Sequence, residues 1–104
     1  MDISERKDIQ GANLKEANLR EANLKEANLR GANLEGANLR EANLFYADLT
    51  DANLQGANLR DAKIERADLI VANLEGTDFI KANLYEANLV ESHLKGANLK
   101  EVNL

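Results

Sequence analysis

The sequence predicts an all-β solenoid, in which the chain winds through a short repeat instead of folding as a helical bundle or a conventional sheet. Leucine recurs at every fifth place from Leu14 to Leu104, with Ile64 and Phe79 as conservative replacements. Alanine stands two places before nearly every one of them, and asparagine usually lies between. A composition dominated by a few residue types at a fixed period is typical of a repeat protein.

A period of five residues does not fit one continuous helix or strand. Five residues advance an α-helix by about 500°, so the leucines would scatter around the helix instead of forming one apolar stripe. In a continuous strand an odd period sends successive leucines to opposite faces. The chain therefore turns within every repeat. Alanine and leucine face inward, asparagine faces outward, and two variable residues form a corner.

The spacing of glycine predicts how many repeats complete one coil. All six glycines occupy the second corner place, in two series whose members are 20 residues apart: Gly11 and Gly31, then Gly36, Gly56, Gly76 and Gly96. Four repeats per coil would stack each series in one column, whereas a three-sided coil of 15 residues would break the columns. Duplication of a 20-residue block is the alternative origin of this spacing.

The repeat resembles the pentapeptide-repeat proteins, whose pattern is A-[ND]-L-x-x. Residues 12–16 read Ala-Asn-Leu-Lys-Glu, and the pattern continues to Val-Asn-Leu at 102–104. The resemblance implies a right-handed quadrilateral β-helix of about five coils of four pentapeptides, roughly 24 Å long at the spacing of β-strands. We expect residues 9–104 to form this β-helix and residues 1–8 to be a lead-in or short cap, with Ser4 capping a very short helix. The family is abundant in cyanobacteria.

Composition argues against several classes of function. The 18 acidic and 13 basic residues give a formal charge of −5, which disfavours direct binding to nucleic acid or to an anionic membrane. No cysteine is present, so the sequence has neither a disulfide framework nor a thiolate metal site. No stretch approaches the roughly 20 apolar residues of a membrane span, and the start lacks the apolar region of a secretory signal. We therefore expect a cytoplasmic protein.

Two local features are weak candidates for chemistry. Ser92 and His93 are neighbours, but neighbours in an extended segment point to opposite sides and do not form a nucleophile–base pair. Asp8, Asp48 and Asp68 share an outward column, yet that column lacks the glycine-and-aspartate nonapeptide of calcium-binding β-rolls. An interior filled by alanine and leucine also leaves no pocket for a substrate. We predict no enzyme activity, no cofactor and no metal-binding residue.

Apolar residues at the corners predict a protein interface. Corner side chains point into solvent, and a cluster of aromatic and β-branched residues there is typical of a binding surface. The alternative is scattered tolerance, because single exposed apolar residues are normal. The predicted interface consists of Phe45, Tyr46, Ile70, Val71, Ile80, Tyr85 and Val90. The predicted function is a non-catalytic scaffold or interaction module whose protein partner the sequence does not name.

The last coil predicts a second interface. The repeat runs to the final residue, so the end of the coil would expose leucines and unpaired backbone groups, which favours end-to-end pairing. We expect a homodimer through the C-terminal coil, with Leu89, Leu94, Leu99 and Leu104 at its interface. A truncated chain is the alternative.

The alternative function comes from the resemblance. Some pentapeptide-repeat proteins, the quinolone-resistance group, resemble a B-DNA rod in size and negative charge and bind DNA gyrase. In this chain an acidic column would occupy one corner, at Glu21, Glu41, Asp61 and Glu101. A parallel basic column lies one residue away, at Arg20, Arg40, Arg60 and Lys100, and is expected to neutralise it.

Overall fold

The computed structural model describes residues 7–104, which wind through successive coils. The residue at each asparagine place forms a parallel β-bridge with the residue 20 positions later, from Asp8–Asn28 to Asn83–Asn103. The bridges fall into four columns, so four repeats complete one coil. This is the register that the glycine series predicts.

Neither a helix nor a continuous strand occurs among residues 7–104, because every bridge involves a single residue of its repeat. The flanking alanine and leucine each use one backbone group in a turn and the other in a bond to the next coil, so each bridge is centred on the middle residue alone. The extended segments are thus shorter than the sequence predicts. The short helix expected from Ser4 falls largely on residues 1–6, outside the described part of the chain, and Asp8 is already bridged to Asn28.

Every corner is a four-residue turn closed by a hydrogen bond from the alanine N–H to the leucine carbonyl three residues earlier. In the turn before Ala52, this bond runs from Ala52 N to Leu49 O over 2.9 Å. The second corner residue has a positive φ in every repeat from Gly11 to Glu101, whereas the first does not. This combination defines a type II turn and favours glycine at the second corner place. The other residue types there adopt φ values of 57–63°.

The repeat at residues 52–56 shows how the backbone N–H groups are satisfied. The N–H of Asn53 donates to Ala32 O in the preceding coil, and the N–H groups of residues 54 and 56 donate to carbonyls in the following coil. These bonds between successive coils form a ladder. The N–H of Gln55 has no partner in the ladder and donates instead to Asn53 Oδ1 at 3.0 Å. Asparagine or aspartate is therefore favoured at the outward place because its side chain accepts the N–H that the ladder leaves over.

The same side-chain bond recurs along the chain, from Gln10 N–H to Asp8 Oδ1 up to Lys100 N–H to Asn98 Oδ1. Among residues 7–104 the bond is missing after three outward residues, namely Lys63, Asp68 and His93. Lysine has no acceptor atom on its side chain, which explains the loss after Lys63. These repeats retain their ladder bonds, so the coil continues through them.

The interior is a solid column of alanine and leucine. From Leu24 to Leu84 the inward residues are at most 3% exposed. Phe79 replaces leucine without becoming accessible, and Thr77 replaces alanine by donating its Oγ1 hydrogen to Leu54 O at 2.6 Å. The predicted inward orientation of these places is confirmed. Residues of different chemical type therefore lie mainly at the outward and corner places.

The bridged columns define four faces, numbered in chain order. Face 1 carries Asp8, Asn28, Asp48, Asp68 and Asn88. Faces 2, 3 and 4 carry the columns that begin at residues 13, 18 and 23 and continue in steps of 20. Each corner is named by the two faces that it joins, so residues 30–31 lie at corner 1–2. Face 3 lies opposite face 1.

Candidate interaction surface

The apolar residues predicted as an interface lie at three corners, and two of these border face 1. Corner 4–1 carries Phe45, Tyr46 and Tyr85, and corner 1–2 carries Ile70, Val71 and Val90. Ile80 lies at corner 3–4, which does not border face 1. The structure therefore brings six of the seven residues to the two edges of one face and separates Ile80 from them.

Large apolar side chains are exposed along both edges of face 1. Tyr46 and Tyr85 are 49% and 48% exposed, and Val71 and Val90 are 40% and 57% exposed. Phe45 and Ile70 are half-buried. Face 1 is thus a polar strip between two partly apolar edges.

Phe45 and Tyr46, at corner 4–1, are held by charged neighbours. The rings of Phe45 and Tyr46 meet edge to face, with centroids 4.7 Å apart. Lys25 Nζ lies 5.7 Å from the Phe45 ring centre, and the Arg66 guanidinium lies 5.7 Å from that of Tyr46. Arg66 also donates to Glu86 Oε1 at 2.6 Å and to the Tyr46 hydroxyl oxygen at 3.3 Å, which raises the pKa of Arg66. These contacts favour one orientation of the Tyr46 ring.

An open depression of about 440 Å³ lies on face 1 beside Tyr46. It is lined by residues from three coils: Glu26, Ala27, Asn28, Arg30, Tyr46, Asp48 and Asp68. Three carboxyl groups against one guanidinium make the depression acidic. Sequence reasoning missed this combination, although the 20-residue register, which stacks Asp48 on Asp68, was a signal for it.

Asp48 is the most constrained carboxyl group of the depression. Burial raises its pKa, but hydrogen bonds from the hydroxyl and N–H of Thr50 and from Arg30 outweigh burial and hold the pKa below its ordinary value. The Thr50 hydroxyl donates to Asp48 Oδ1 at 2.6 Å, and Arg30 Nη1 donates to Asp48 Oδ2 at 3.2 Å. Asp48 is therefore ionised and engaged within the protein.

Glu26 and Asp68 differ from Asp48 in this respect. The ion pairs among residues 7–104 involve neither of them. Both carboxyl groups lie at the depression, with Glu26 at corner 4–1 and Asp68 on the bridged column. Both carboxylates therefore remain available to a partner.

The other candidates for chemistry stay apart. Ser92 is half-buried with its Oγ enclosed and without a hydrogen-bond partner, whereas His93 is exposed. Within the described residues, no three histidine, aspartate or glutamate side chains are grouped closely enough to hold a metal ion. None of residues 7–104 forms a helix with the length and hydropathy of a membrane span.

The end-on interface stays a prediction. Leu89 and Leu94 are half-buried against the core, whereas Leu99 and Leu104 are 39% and 76% exposed.

The acidic column at corner 3–4 is partly neutralised, as expected. Glu41 lies 3.1 Å from Arg20 and 4.0 Å from Arg40. Arg60 departs from that pattern and pairs with Asp78 on face 3 at 2.6 Å. There the Arg60 guanidinium and the Ile80 N–H outweigh the effect of burial and hold the pKa of Asp78 below its ordinary value.

A constant core with variable corners defines the class of this protein as a stacked-repeat scaffold. The family model described as pentapeptide repeats matches it in segments 8–44, 37–76 and 67–104. The chain belongs to the pentapeptide-repeat family.

Solved structures of pentapeptide-repeat proteins are similar to this chain. Rfr23 from the cyanobacterium Cyanothece 51142 is 41% identical with a TM-score of 0.69, over 92% of this chain and 63% of Rfr23. This chain therefore spans less than two thirds of Rfr23. The protein alr5209 from Nostoc Pcc 7120 is 38% identical with a TM-score of 0.52, over 86% of each chain.

QnrB1, a plasmid-mediated fluoroquinolone resistance protein, is more distant. It is 15% identical with a TM-score of 0.42, over 93% of this chain and 72% of QnrB1. Likeness at that level carries no argument about function. Among curated proteins, none matches this sequence.

Proposed function

We propose that this chain is a non-catalytic interaction module, a right-handed quadrilateral β-helix of about five coils that binds a protein partner through face 1. The observation that carries the proposal is the exposure of large apolar side chains on both edges of that face, at Tyr46, Tyr85, Val71 and Val90. Protein interfaces are enriched in tyrosine and combine apolar anchors with polar groups.

The shape of face 1 supports a protein partner over a small molecule. Small-molecule sites enclose most of the surface of their ligand. The depression on face 1 is open and lies beside exposed side chains on a solid core. A partner that covers face 1 would contact both apolar edges and the acidic strip between them.

The rigidity of the scaffold also supports binding. Hydrogen bonds between successive coils hold the backbone of face 1 and of the corners beside it. Arg66 contacts the ring and the hydroxyl of Tyr46. A surface that is ordered before binding loses little conformational entropy when the partner docks.

The DNA-mimic alternative comes from the family resemblance, and the acidic column at corner 3–4 and the net charge of −5 support it. It predicts that the purified chain alters the supercoiling activity of DNA gyrase at micromolar concentration. We expect unchanged supercoiling, because Arg20 and Arg40 lie against Glu41 and reduce the negative potential of corner 3–4.

The experiment is affinity capture from the cells that produce the chain, with the double variant Ile70→Ser/Tyr85→Ser beside the wild type. One substitution lies on each edge of face 1, so the variant should retain at least about tenfold less of the partner, as expected for the loss of interface anchors. Ile80→Ser is the matched control, because Ile80 occupies a corner away from face 1. Thermal melting checks that both variants remain folded. Equal capture by the double variant and the wild type would reject the proposal.

A further inference from the structure

Opposite faces of the rod carry opposite charge. To count charge, each face includes its outward column, the second residue of the corner that precedes it and the first residue of the corner that follows it. Residues at these places line the depression on face 1. Among residues 7–104, the acidic residues of face 1 are Asp8, Glu26, Asp48, Asp68 and Glu86, and its basic residues are Arg30 and Arg66. Five acidic against two basic residues give this part of face 1 a formal charge of −3.

Face 3 has the reverse balance. Its basic residues are Arg20, Arg40, Arg60 and Lys100, and its acidic residues are Glu16 and Asp78. Four basic against two acidic residues give a formal charge of +2. The ion pairs of Arg20 and Arg40 are solvent-exposed, with 41–53% of each side chain accessible, so water and salt screen them. Each guanidinium has five donor hydrogens and retains some of them for another acceptor.

The asparagine column adds hydrogen-bond donors to face 3. The Oδ1 atoms of Asn18, Asn38 and Asn58 each accept a backbone N–H two residues later, at 3.2, 3.1 and 3.0 Å. Their Nδ2 groups are left as the donors that the column offers outward. Face 3 therefore presents amide and guanidinium donors, which match the carboxylate acceptors of face 1.

The glycine column on the other edge of face 3 leaves the surface flat. Gly36, Gly56, Gly76 and Gly96 stack at corner 2–3. A Cβ added at Gly56 would have no atom within 4 Å, whereas one at Gly36 would lie 3.2 Å from Glu16 Cγ, so the open space is beside Gly56. The projecting side chains along the edges of face 1 meet little obstruction on a surface of this kind.

Two copies of one solenoid also share the same spacing between coils. Among residues 7–104, face 1 has one acidic residue in each coil and face 3 has a basic residue in four of five coils, at the β-strand separation of about 4.8 Å. Rods lying side by side therefore keep their acidic and basic rows in register over several coils. A globular partner has no such period.

We infer that face 1 docks on face 3 of a second copy of this chain, so that the rods associate side by side. This inference rests on the proposed function, since it names the partner of the same face. The contact is heterologous, so each copy keeps one acidic and one basic face and further copies add to the array.

The size of the faces sets the strength of this contact. The rod measures 35 × 24 × 22 Å, so one side offers roughly 500–800 Å². A contact between two sides buries roughly 1,000–1,600 Å², the lower part of the range for specific protein interfaces. Association is therefore weak and electrostatic, and it requires concentrated protein at low salt.

Sedimentation equilibrium of the 104-residue chain tests this inference. The wild type should associate at about 0.01 M salt. At about 1 M salt, where the screening length falls to about 3 Å, its association constant should be at least about tenfold lower. Arg20→Glu/Arg40→Glu, which gives face 3 an acidic edge, should weaken low-salt association by at least about tenfold. Lys63→Glu lies on face 4, away from both docking faces, and changes the net charge as much as Arg40→Glu alone does. This control should stay within about twofold of the wild type.

Restored association in a mixture identifies the two faces. Glu26→Lys/Asp68→Lys reverses face 1, and Lys63 already shows that lysine is accepted at the place of Asp68. This variant should not associate by itself but should do so when mixed with Arg20→Glu/Arg40→Glu. Three results would overturn the inference: a wild type that stays monomeric at low salt, a control weakened as much as the face 3 variant, or no association in the mixture.

Association that changes with neither salt concentration nor charge reversal would also contradict the inference and would favour the end-on interface of the C-terminal leucines. The proposed function is judged separately. Its double variant at Ile70 and Tyr85 would still lose a captured partner if that partner is a different protein.

Discussion

Removing one outward asparagine should show how far side-chain acceptors stabilise the coil. Asn53 lies in the middle of the chain, and its Oδ1 accepts the N–H of Gln55 at 3.0 Å. Asn53→Ala deletes this acceptor while the ladder bonds of the repeat remain. A net hydrogen bond contributes about 0.5–1.5 kcal/mol, so the free energy of unfolding should fall by about 1 kcal/mol. For a chain of this size that lowers the melting temperature by about 4–8 °C.

Two matched variants isolate the acceptor. Asn53→Asp keeps an oxygen at the same place, as Asp48 does for the N–H of Thr50, and should melt near the wild type. Lys63→Asn supplies the missing acceptor to the N–H of Glu65 and should stabilise the chain by about the same 1 kcal/mol. Urea unfolding of the four proteins measures these differences. Equal stability of Asn53→Ala and the wild type would refute the reasoning, as would a loss in Asn53→Asp as large as that in Asn53→Ala.

Three further changes have expected outcomes. Phe79→Ala leaves a cavity in the core and should cost about 3–5 kcal/mol in urea unfolding, whereas Phe45→Ala at the half-buried corner should cost less. Gly56→Ala forces alanine to a φ of +67° in open space and should cost about 1 kcal/mol by the same assay. Asp48→Asn should be less stable than the wild type at neutral pH, and the difference should vanish in acid. In the folded state the bonds from Thr50 and Arg30 hold the pKa of Asp48 below its ordinary value. The stabilisation is therefore complete above that ordinary value and is lost as pH falls through the lowered pKa. A difference that persists in acid would contradict this.

The sequence predicted the scaffold because one residue type serves one place in every repeat. The inward leucines, the four-column register and the buried Thr77 all follow from periodicity. The role of asparagine was missed, because outward polar residues are common on any protein surface. Its hydrogen bond to a backbone N–H is recognised only when every N–H of the repeat has been assigned a partner. The lack of continuous strands among residues 7–104 was missed, because a turn uses one backbone group of the alanine and one of the leucine beside each bridged residue.

The candidate surface was predicted less completely. Six of the seven apolar residues border face 1, but Ile80 lies at another corner. Ile70 and Ile80 are ten residues apart, which is half a coil, so they lie at different corners. The depression at Tyr46 combines three coils, and the orientation of its side chains depends on partners such as Arg66 and Thr50. Such contacts depend on side-chain conformation, which the repeat pattern does not specify.

Photo-crosslinking in the cells that produce the chain tests the central claim, contact with a partner through face 1, most directly. A benzoylphenylalanine side chain replaces Tyr85 on the edge of face 1 in one variant and Ile80 at corner 3–4 in the other. We expect a crosslinked partner from position 85. A different protein should give little crosslinking from position 80, whereas a second copy docked through face 3 should be crosslinked from both positions. Crosslinking from position 80 with none from position 85 would contradict the central claim.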